Sequence, residues 1–415
     1  MPELRFPGFE GEWEEISLGS VGKVSMCKRI MKEETKPNGD VPFYKIGTFG
    51  KQADAYISRE VFENYKSSYS YPKKGDILIS AAGTIGRLVV FDGEEAYFQD
   101  SNIVWIDNDE NLIKNDFLFH CYNNVKWTTD DNTIPRLYND NLRGMKIFIT
   151  SVTEQSRIAD CLSSVDELIT AGVQKLDALK EHKKGLMQGL FPAVGETAPK
   201  LRFPGFEGEW EEKTIQELID SKIIIGHLDG NHGELYPRSD EFSERGIPYI
   251  SANDFASGSV DFAKCKYLPE DRAKLFKKGV AKNGDILFAH NATVGPVTKL
   301  KTNFDFVILS TTATYFRCDN LYLVNDFLQF LLSSPKFVEQ YTRVMKQSTR
   351  NQVPITTQRK FQLDLPKPEE QSRIADCLSS LDELISAQAE KVEALKLHKK
   401  GLMQGLFPVV GEVEG

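Results

Sequence analysis

Apolar residues recur every three or four positions along two long stretches of the chain. The first stretch places them at Ile158, Leu162, Val165, Ile169, Val173, Leu176 and Leu179, and the second at Ile374, Leu378, Leu381, Ile385, Ala389, Val392 and Leu395. This spacing forms one stripe on an α-helix, because about 3.6 residues complete a turn. The pattern predicts helices within 152–191 and 368–407, each of roughly 35 residues and therefore about 50 Å long at about 1.5 Å per residue.

An apolar stripe of this length is buried only when a second apolar surface covers it. The simplest closure packs the two helices against each other as an antiparallel coiled coil. We assign the pairing role to Ile158, Leu162, Val165, Ile169, Leu176, Leu179, Ile374, Leu378, Leu381, Ile385, Val392 and Leu395. The alternative is that each helix packs only on the segment that precedes it.

Residues at the ends of both stretches favour helix starts and stops. Ser151 and Glu154 have the spacing of a capping box, and Pro368 suits a first helical turn. Gly189 and Gly405, each followed by Leu-Phe-Pro, are predicted to mark the helix exits.

The helical stretches belong to a repeat. Residues 154–196 return at 370–412 with 34 of 43 positions identical, and the phrase LRFPGFEGEWEE occupies both 4–15 and 201–212. The segments between these repeats scarcely resemble each other. The nearly constant repeats suggest two equivalent docking surfaces for one kind of partner. The divergent inserts suggest that the two segments recognise different features.

Both inserts have the pattern of mixed α/β globules. GDILIS (75–80) and GDILFA (284–289) read as strands leading into glycine-bearing loops, and NDFLFHCY and NDFLQFLL read as helices capped by Asn115 and Asn325. The fold class expected is α+β, with internal pseudo-two-fold symmetry. The predicted segments are a globular domain at 1–151, a helix at 152–191, a linker at 192–200, a second globular domain at 201–367, a helix at 368–407 and a tail at 408–415.

Composition narrows the class of protein. With 40% apolar and 27% charged residues, the chain can form two sizeable cores. No apolar run is long enough for a membrane helix and the start lacks a signal-peptide pattern, so a cytoplasmic location is expected. The six cysteines form no CxxC pair and are expected to be free thiols. A net charge of -9 argues against a protein that binds nucleic acid tightly without a partner protein.

Catalytic signatures are not found in the sequence. No GxxxxGK[ST] phosphate loop occurs, and the FPGFEG strings lack the strand-to-helix context of a cofactor-binding turn. His227 and His232 lie close together in sequence but have no acidic or sulfur partner at ligand spacing, so no metal site is expected. The sequence therefore favours a non-enzymatic role, with no cofactor bound by this chain.

Polar side chains in loops are the remaining candidates for chemistry. The window 336–360 is the most basic in the chain, and Arg, Asn and Gln are suited to reading base edges. Matched loops in the two inserts supply the rest, although each window could also be an ordinary solvated loop. The candidate DNA-contacting residues are Lys45, Thr48, Thr84, Arg87, Arg136, Asn139 and Arg143 in the first insert, and Ser251, Asn253, His290, Asn291, Thr293, Lys346, Gln347, Arg350, Asn351 and Gln352 in the second.

The organisation resembles the DNA-specificity subunit of type I restriction-modification systems. The motif EQ-x-RIA-x-x-L-x-x-x-D, at 154–166 and again at 370–382, carries this resemblance, together with the HKKGLMQGLFP endings of both repeats. The resemblance implies two target-recognition domains joined by an antiparallel coiled coil, and a subunit without a catalytic centre of its own.

The resemblance also implies partners. Each globule would read half of an asymmetric, bipartite target on double-stranded DNA, and the helices would set the spacer and dock two methyltransferase subunits. Those subunits would bring S-adenosylmethionine, and restriction subunits would bring ATP and Mg²⁺ chemistry. Two other readings stay open: a coiled-coil adaptor that joins two protein ligands without reading DNA, and an enzyme with an unfamiliar active site.

Overall fold

The computed structural model describes residues 1–127, 136–347 and 350–408. The chain divides into two compact units. Unit 1 comprises residues 1–173 and the chain from 391 onward, and unit 2 comprises residues 174–390. Apart from Pro408, the predicted tail at 408–415 lies outside the described residues.

Unit 1 combines short strands with helices of one to three turns. Its strands are β1 (Glu14–Ser17), β2 (Gly22–Ser25), β3 (Val41–Tyr44), β4 (Tyr56–Ile57), β5 (Ile77–Ser80), β6 (Leu88–Val90), β7 (Tyr97–Phe98), β8 (Ile103–Asn108) and β9 (Lys146–Ile149). Its shorter helices are α1 (Leu18–Val21), α2 (Arg59–Ser68), α3 (Asn115–Asn124) and α4 (Asn139–Gly144), followed by the long α5 (Val152–Gly189).

Unit 2 repeats this arrangement with a few additions. Its strands are β10 (Glu211–Thr214), β11 (Ile224–Asp229), β12 (Ile247–Ile250), β13 (Lys266–Leu268), β14 (Val280–Ala281), β15 (Ile286–Asn291), β16 (Thr293–Lys299), β17 (Val307–Leu309), β18 (Ala313–Cys318) and β19 (Gln362–Leu365). Its helices are α6 (Ile215–Asp220), α7 (Glu270–Ala273), α8 (Asn325–Leu331), α9 (Pro335–Lys346) and α10 (Ile355–Gln358), followed by the long α11 (Pro368–Leu406).

The sheets of the two units have the same strand order, except that unit 2 has the additional edge strand β14. In unit 1 they run β2-β8-β5-β6, β4-β3-β7 and β1-β9, and in unit 2 β11-β18-β15-β16, β13-β12-β17-β14 and β10-β19. The pairs β3·β7 and β12·β17 are parallel, whereas the other pairs in these sheets are antiparallel. The two inserts are therefore divergent copies of one fold, as the sequence predicted.

The GDIL motif forms the central strand in each unit because its residues alternate between two cores. In β5, Ile77 and Ile79 join the cluster that contacts the long helices, whereas Leu78 joins the cluster on the other face. In β15, Phe288 and Leu287 divide in the same way. Successive side chains of a strand point to opposite faces, so a short continuous apolar run suits a strand covered on both sides.

Each core uses both long helices. In unit 1, Ile158 and Leu162 from the start of α5 lie in the same buried cluster as Leu406 from the end of α11. In unit 2, Ile374 from the start of α11 shares a cluster with Leu190, directly after α5. The prediction of two α/β domains with long helices that pack together is confirmed.

Two ion pairs define the antiparallel arrangement of α5 and α11. Lys399 Nζ lies 2.7 Å from both carboxylate oxygens of Asp166 in unit 1, and Lys183 Nζ lies 2.5 Å from Asp382 Oδ1 in unit 2. The two residue numbers in each pair add to the same total, so both pairs belong to one register. Each lysine comes from one repeat and its aspartate from the other.

The assigned pairing residues differ in burial along the helices. The buried positions are Ile158, Leu162, Val165, Ile374, Leu378, Leu381 and Val392. The half-buried positions are Ile169, Leu176, Leu179, Ile385 and Leu395. Apart from Val392, the buried positions lie in the first four turns of each helix, the part that begins at the core of the globule that precedes it.

The helix-start predictions need two corrections. Ser151 Oγ accepts a hydrogen bond from the Glu154 N–H, but the Glu154 carboxylate binds Arg5 and the Thr150 hydroxyl and does not complete a capping box. The predicted caps Asn115 and Asn325 are instead the first helical residues, and their amides contact groups outside the helices. Tertiary partners therefore replaced the expected local ones.

The Glu154 carboxylate illustrates how the N-terminal phrase is anchored. Burial raises the pKa of Glu154, but the hydrogen bonds from Arg5 and Thr150 outweigh it and hold the pKa below its ordinary value. Arg202 makes the equivalent two-bond contact with Glu370 in unit 2, at 2.7 and 2.8 Å.

Gly189 and Gly405 allow the same close approach at the two helix exits. The Leu201 N–H donates to Gly189 O and the Leu4 N–H donates to Gly405 O, both at 2.8 Å. A Cβ at either glycine would lie 2.5 Å from the Cδ1 atom of the leucine. Each helix ends where a copy of the RFPGFEGEW phrase crosses it, the second copy at α5 and the first copy at α11.

This contact predicts opposite effects for two glycines of one helix. Gly405→Ala should destabilise unit 1 by about 1–2 kcal/mol, because the new methyl group overlaps Leu4. Gly401→Ala should stabilise the helix by up to about 1 kcal/mol, because a Cβ at Gly401 meets no atom within 4 Å. Thermal unfolding of both variants measures the contrast, and shifts of the same sign would contradict it.

His120 creates a difference between the two cores. It is 2% exposed and occupies the position in α3 that Phe330 occupies in α8. Burial and, to a smaller extent, the nearby Lys399 lower the pKa of His120 to about 4, against the opposing effect of Asp166. Between about pH 4 and about pH 6.5, the ring is therefore neutral in the folded protein but protonated in an unfolded chain.

This difference predicts pH-dependent stability. The unfolded histidine takes up a proton below a pKa of about 6.5, so wild-type stability should fall as pH drops from there towards 4, by about 2 kcal/mol at pH 5. His120→Phe should remove this part of the pH dependence, and the reciprocal Phe330→His should add a similar part to unit 2. Urea unfolding at pH 7.5 and pH 5 measures both, and equal pH dependence of all three proteins would refute the assignment.

Candidate functional site

Four loops of each unit meet at one edge of its sheets, which we call the four-loop edge. In unit 1 it comprises residues 45–50, 81–87, 99–102 and 136–137, and in unit 2 residues 251–255, 290–293, 310–312 and 350–353. The reason is topological: the parallel strands β3 and β7 end at the same side, where β5 also ends and the antiparallel β8 begins.

Backbone hydrogen bonds and one side chain join the loops of unit 1. They are Gln99 N–H to Tyr44 O at 2.9 Å, Ile46 N–H to Gln99 Oε1 at 2.8 Å, Ala81 N–H to Asn102 O at 2.8 Å, and Leu137 N–H to Ala81 O at 2.9 Å. Together the four bonds link three pairs of chain segments, so the edge is a connected frame.

Unit 2 makes the same connections with different residues. They are Ser310 N–H to Ile250 O at 2.7 Å, Ala252 N–H to Thr312 Oγ1 at 2.9 Å, His290 N–H to Thr312 O at 3.0 Å, and Val353 N–H to His290 O at 2.8 Å. One frame is therefore built twice from sequences that scarcely match.

The frame brings together the loops that the sequence proposed separately. Arg136 forms a β-bridge with Ala82 in unit 1, and Gln352 forms one with Asn291 in unit 2. The Ala292 N–H also donates to Asn351 O at 2.9 Å. The loop after GDIL thus lies beside Arg136 in unit 1 and beside residues of the window 336–360 in unit 2, whereas residues 128–135 and 348–349 lie outside the described residues.

The predicted contact residues differ in exposure. The exposed ones are Thr84, Asn139, Arg143, Asn253, Thr293, Lys346, Gln347, Arg350 and Asn351, and the half-buried ones are Lys45, Thr48, Arg87, Arg136, Ser251, Asn291 and Gln352. Asn139 and Arg143 lie in α4 and Lys346 ends α9, so these three extend beyond the edge itself.

Several basic candidates of unit 1 already bind groups within the protein. Arg87 Nη1 donates to Phe49 O at 2.9 Å, and Arg136 Nη2 donates to Ser101 O at 3.3 Å. Lys45 Nζ lies 2.9 Å from Asp54 Oδ1. These side chains hold neighbouring loops together, which leaves them fewer free donors for a ligand.

His290 is the predicted contact residue that the geometry favours least. Its side chain is 2% exposed, and within the described residues neither ring nitrogen has a hydrogen-bond partner. Burial lowers the pKa of His290, so the ring is neutral near pH 7. Contact with a base would require this ring to become exposed, and we leave it out of the proposed contact set.

Sequence reasoning missed the loops at 99–102 and 310–312. Gln99 and Thr312 link the other loops, yet neither lies in a basic window or beside a glycine turn. The available signal was a short polar run, Gln-Asp-Ser-Asn or Ser-Thr-Thr, between two buried strands. Such a run marks a tight connection at a strand end.

A buried hydrogen-bond network around Gln358 holds Val353 at the four-loop edge of unit 2. Gln358 donates to Val353 O at 2.9 Å and to Thr314 Oγ1 at 3.2 Å, and its Oε1 lies 3.2 Å from His227 Nε2. Burial lowers the pKa of His227 to about 3, which keeps it neutral. His227 therefore belongs to the core of unit 2.

Within residues 1–127, 136–347 and 350–408, no group of three or more His, Cys, Asp or Glu side chains is placed to hold a metal ion. The six cysteines are free thiols, as expected. None of the helices found there is both long and apolar enough to cross a membrane.

Known proteins share the sequence pattern of this chain. The family model for the type I restriction modification DNA specificity domain matches residues 10–181 and 207–397. A type I restriction enzyme specificity subunit of Methanocaldococcus jannaschii is 24% identical over 424 residues, covering 98% of this chain and 94% of that protein. A putative specificity subunit of Haemophilus influenzae is 61% identical over 162 residues, covering 38% of this chain and only 42% of that protein.

Solved structures share the fold. The crystal structure of a type I restriction-modification S subunit from M. genitalium matches with a TM-score of 0.65 at 15% identity, covering 99% of this chain and 100% of that one. Since the family match spans both globules and most of both helices, the chain belongs to the DNA-specificity (S) subunit family of type I restriction-modification systems.

Proposed function

We propose that each unit reads one half of a bipartite DNA sequence through its four-loop edge. The observation that carries this proposal is the repeated frame: equivalent hydrogen bonds hold loops of different sequence in the two units. Unlike loops on a common frame suit the reading of two unlike half-sites, so the target would be asymmetric.

As a specificity subunit, the chain is the non-catalytic member of its complex. We propose that two methyltransferase subunits dock on the repeated helices and supply S-adenosylmethionine, and that restriction subunits supply ATP- and Mg²⁺-dependent steps. Flipping of the target base would then belong to the methyltransferase. The near-identity of the two repeats supports two equivalent docking surfaces.

The charge of this chain favours an interface with DNA that is shared with the partner subunits. The chain carries a net charge of -9, and three basic side chains of the unit 1 edge are engaged within the protein. Binding to DNA draws most of its affinity from cations that neutralise phosphates. The partner subunits would therefore supply much of the phosphate contact, while this chain selects the sequence.

The function predicts a clear difference between the isolated chain and its complex. The chain alone should bind DNA weakly, whereas the complex with a cognate methyltransferase should select one bipartite sequence from a random DNA library and lose affinity steeply with salt. Selection followed by sequencing measures this outcome. Sequence-indifferent binding by the complex would favour the adaptor reading, and methyl transfer by the isolated chain would favour an enzyme.

We further propose that the helices act as a ruler between the two half-sites. Inserting seven residues after Val173 and seven after Ala389 keeps the apolar stripes in phase and lengthens each helix by about 10 Å. The selected spacer should then grow by about three base pairs at about 3.4 Å each, with unchanged half-sites. Substituting seven solvent-facing helix residues without insertion is the control, and an unchanged spacer in the insertion variant would disprove the ruler.

A further inference from the structure

The loop before β8 in unit 1 and before β18 in unit 2, which we call the crossing loop, is built differently in the two frames. It comprises residues 99–102 before β8 in unit 1 and residues 310–312 before β18 in unit 2. Its first residue donates to the end of the parallel neighbour strand, and its last residue accepts from the strand that carries GDIL. The crossing loop therefore lies between other loops of the four-loop edge.

The ends of the crossing loop have a positioning role. Thr312 Oγ1 accepts the Ala252 N–H at 2.9 Å and lies 2.6 Å from Ser310 Oγ, while Thr312 O accepts the His290 N–H at 3.0 Å. Gln99 Oε1 plays the corresponding part in unit 1 by accepting the Ile46 N–H. These groups are occupied in holding the frame, so they are poorly suited to contact a ligand.

The middle of the loop is where the two units differ. Unit 2 has one residue there, Thr311, and unit 1 has two, Asp100 and Ser101. Asp100 is bound by Arg29 at 2.8 Å, and Ser101 adopts a φ of 50° that accommodates the extra residue. Thr311 and Ser101 are half-buried, and no hydrogen bond within the described ranges engages either hydroxyl.

We propose that Thr311 and Ser101 contact base edges and are specificity-determining residues for the half-site read by their own unit. This inference rests on the proposed function. A hydroxyl group can donate to or accept from a base, and the threonine methyl can also pack on the methyl group of thymine. The two units keep the same frame but differ in how many residues, and which ones, stand in the middle of the crossing loop. Such an arrangement allows one base preference to change without a change in the rest of the domain.

The test uses the full complex with the methyltransferase and a library that randomises both half-sites. Thr311→Val removes the hydroxyl but keeps the shape, and it should relax the preference at one position of one half-site by about fivefold or more. Ser101→Ala should do the same in the other half-site only. Each variant is the control for the other, and Thr311→Ser tests whether the hydroxyl alone restores the preference.

The outcomes separate this inference from the function on which it rests. If the wild-type complex selects no sequence, the proposed function fails. If it selects a bipartite site and both variants keep every preference, only the role of Thr311 and Ser101 is refuted. A uniform loss of affinity for all sequences would also refute it, because the loss of a phosphate contact weakens binding without changing selectivity.

Discussion

Each core of this protein is closed by the end of a helix that began beside the other globule. In unit 1, Trp13 packs against Phe117 from the globule and Phe407 from the exit of α11, with ring centroids about 6 Å apart. In unit 2, Trp210 contacts Phe327 and Phe191 in the same way. Large aromatic side chains contribute heavily to burial, so neither globule has a complete core without both repeats.

This constraint explains why the repeats stay alike while the inserts diverge. A change at a helix exit affects the core that receives it and the phrase that crosses it, as at Gly405 and Leu4. The lysines and aspartates that pair α5 with α11 each need a partner from the opposite repeat. Matching substitutions would therefore have to occur in both copies, whereas a loop at the sheet edge can change by itself.

The four-loop edge shows how such loop changes are tolerated. Its frame depends mostly on backbone donors and acceptors, which every residue type except proline supplies in full. A side-chain acceptor is needed at one point, and Gln99 and Thr312 satisfy it with different chemistry from different positions. The residues between the fixed points are then free to vary, which links the packing of the domain to its proposed role in reading DNA.

The sequence by itself determined the helices and strands that can be recognised from the spacing of apolar residues and from the repeats. The long helices and the strands at GDIL follow from local patterns, because burial of a stripe or of a two-faced strand leaves a regular spacing. The antiparallel packing was expected because each helix follows its own insert. Only the tertiary structure decided which polar groups meet. It assigned Glu154 to Arg5, buried His290 and made Thr312 a link between loops, since these contacts join residues far apart in sequence and leave no periodic signal.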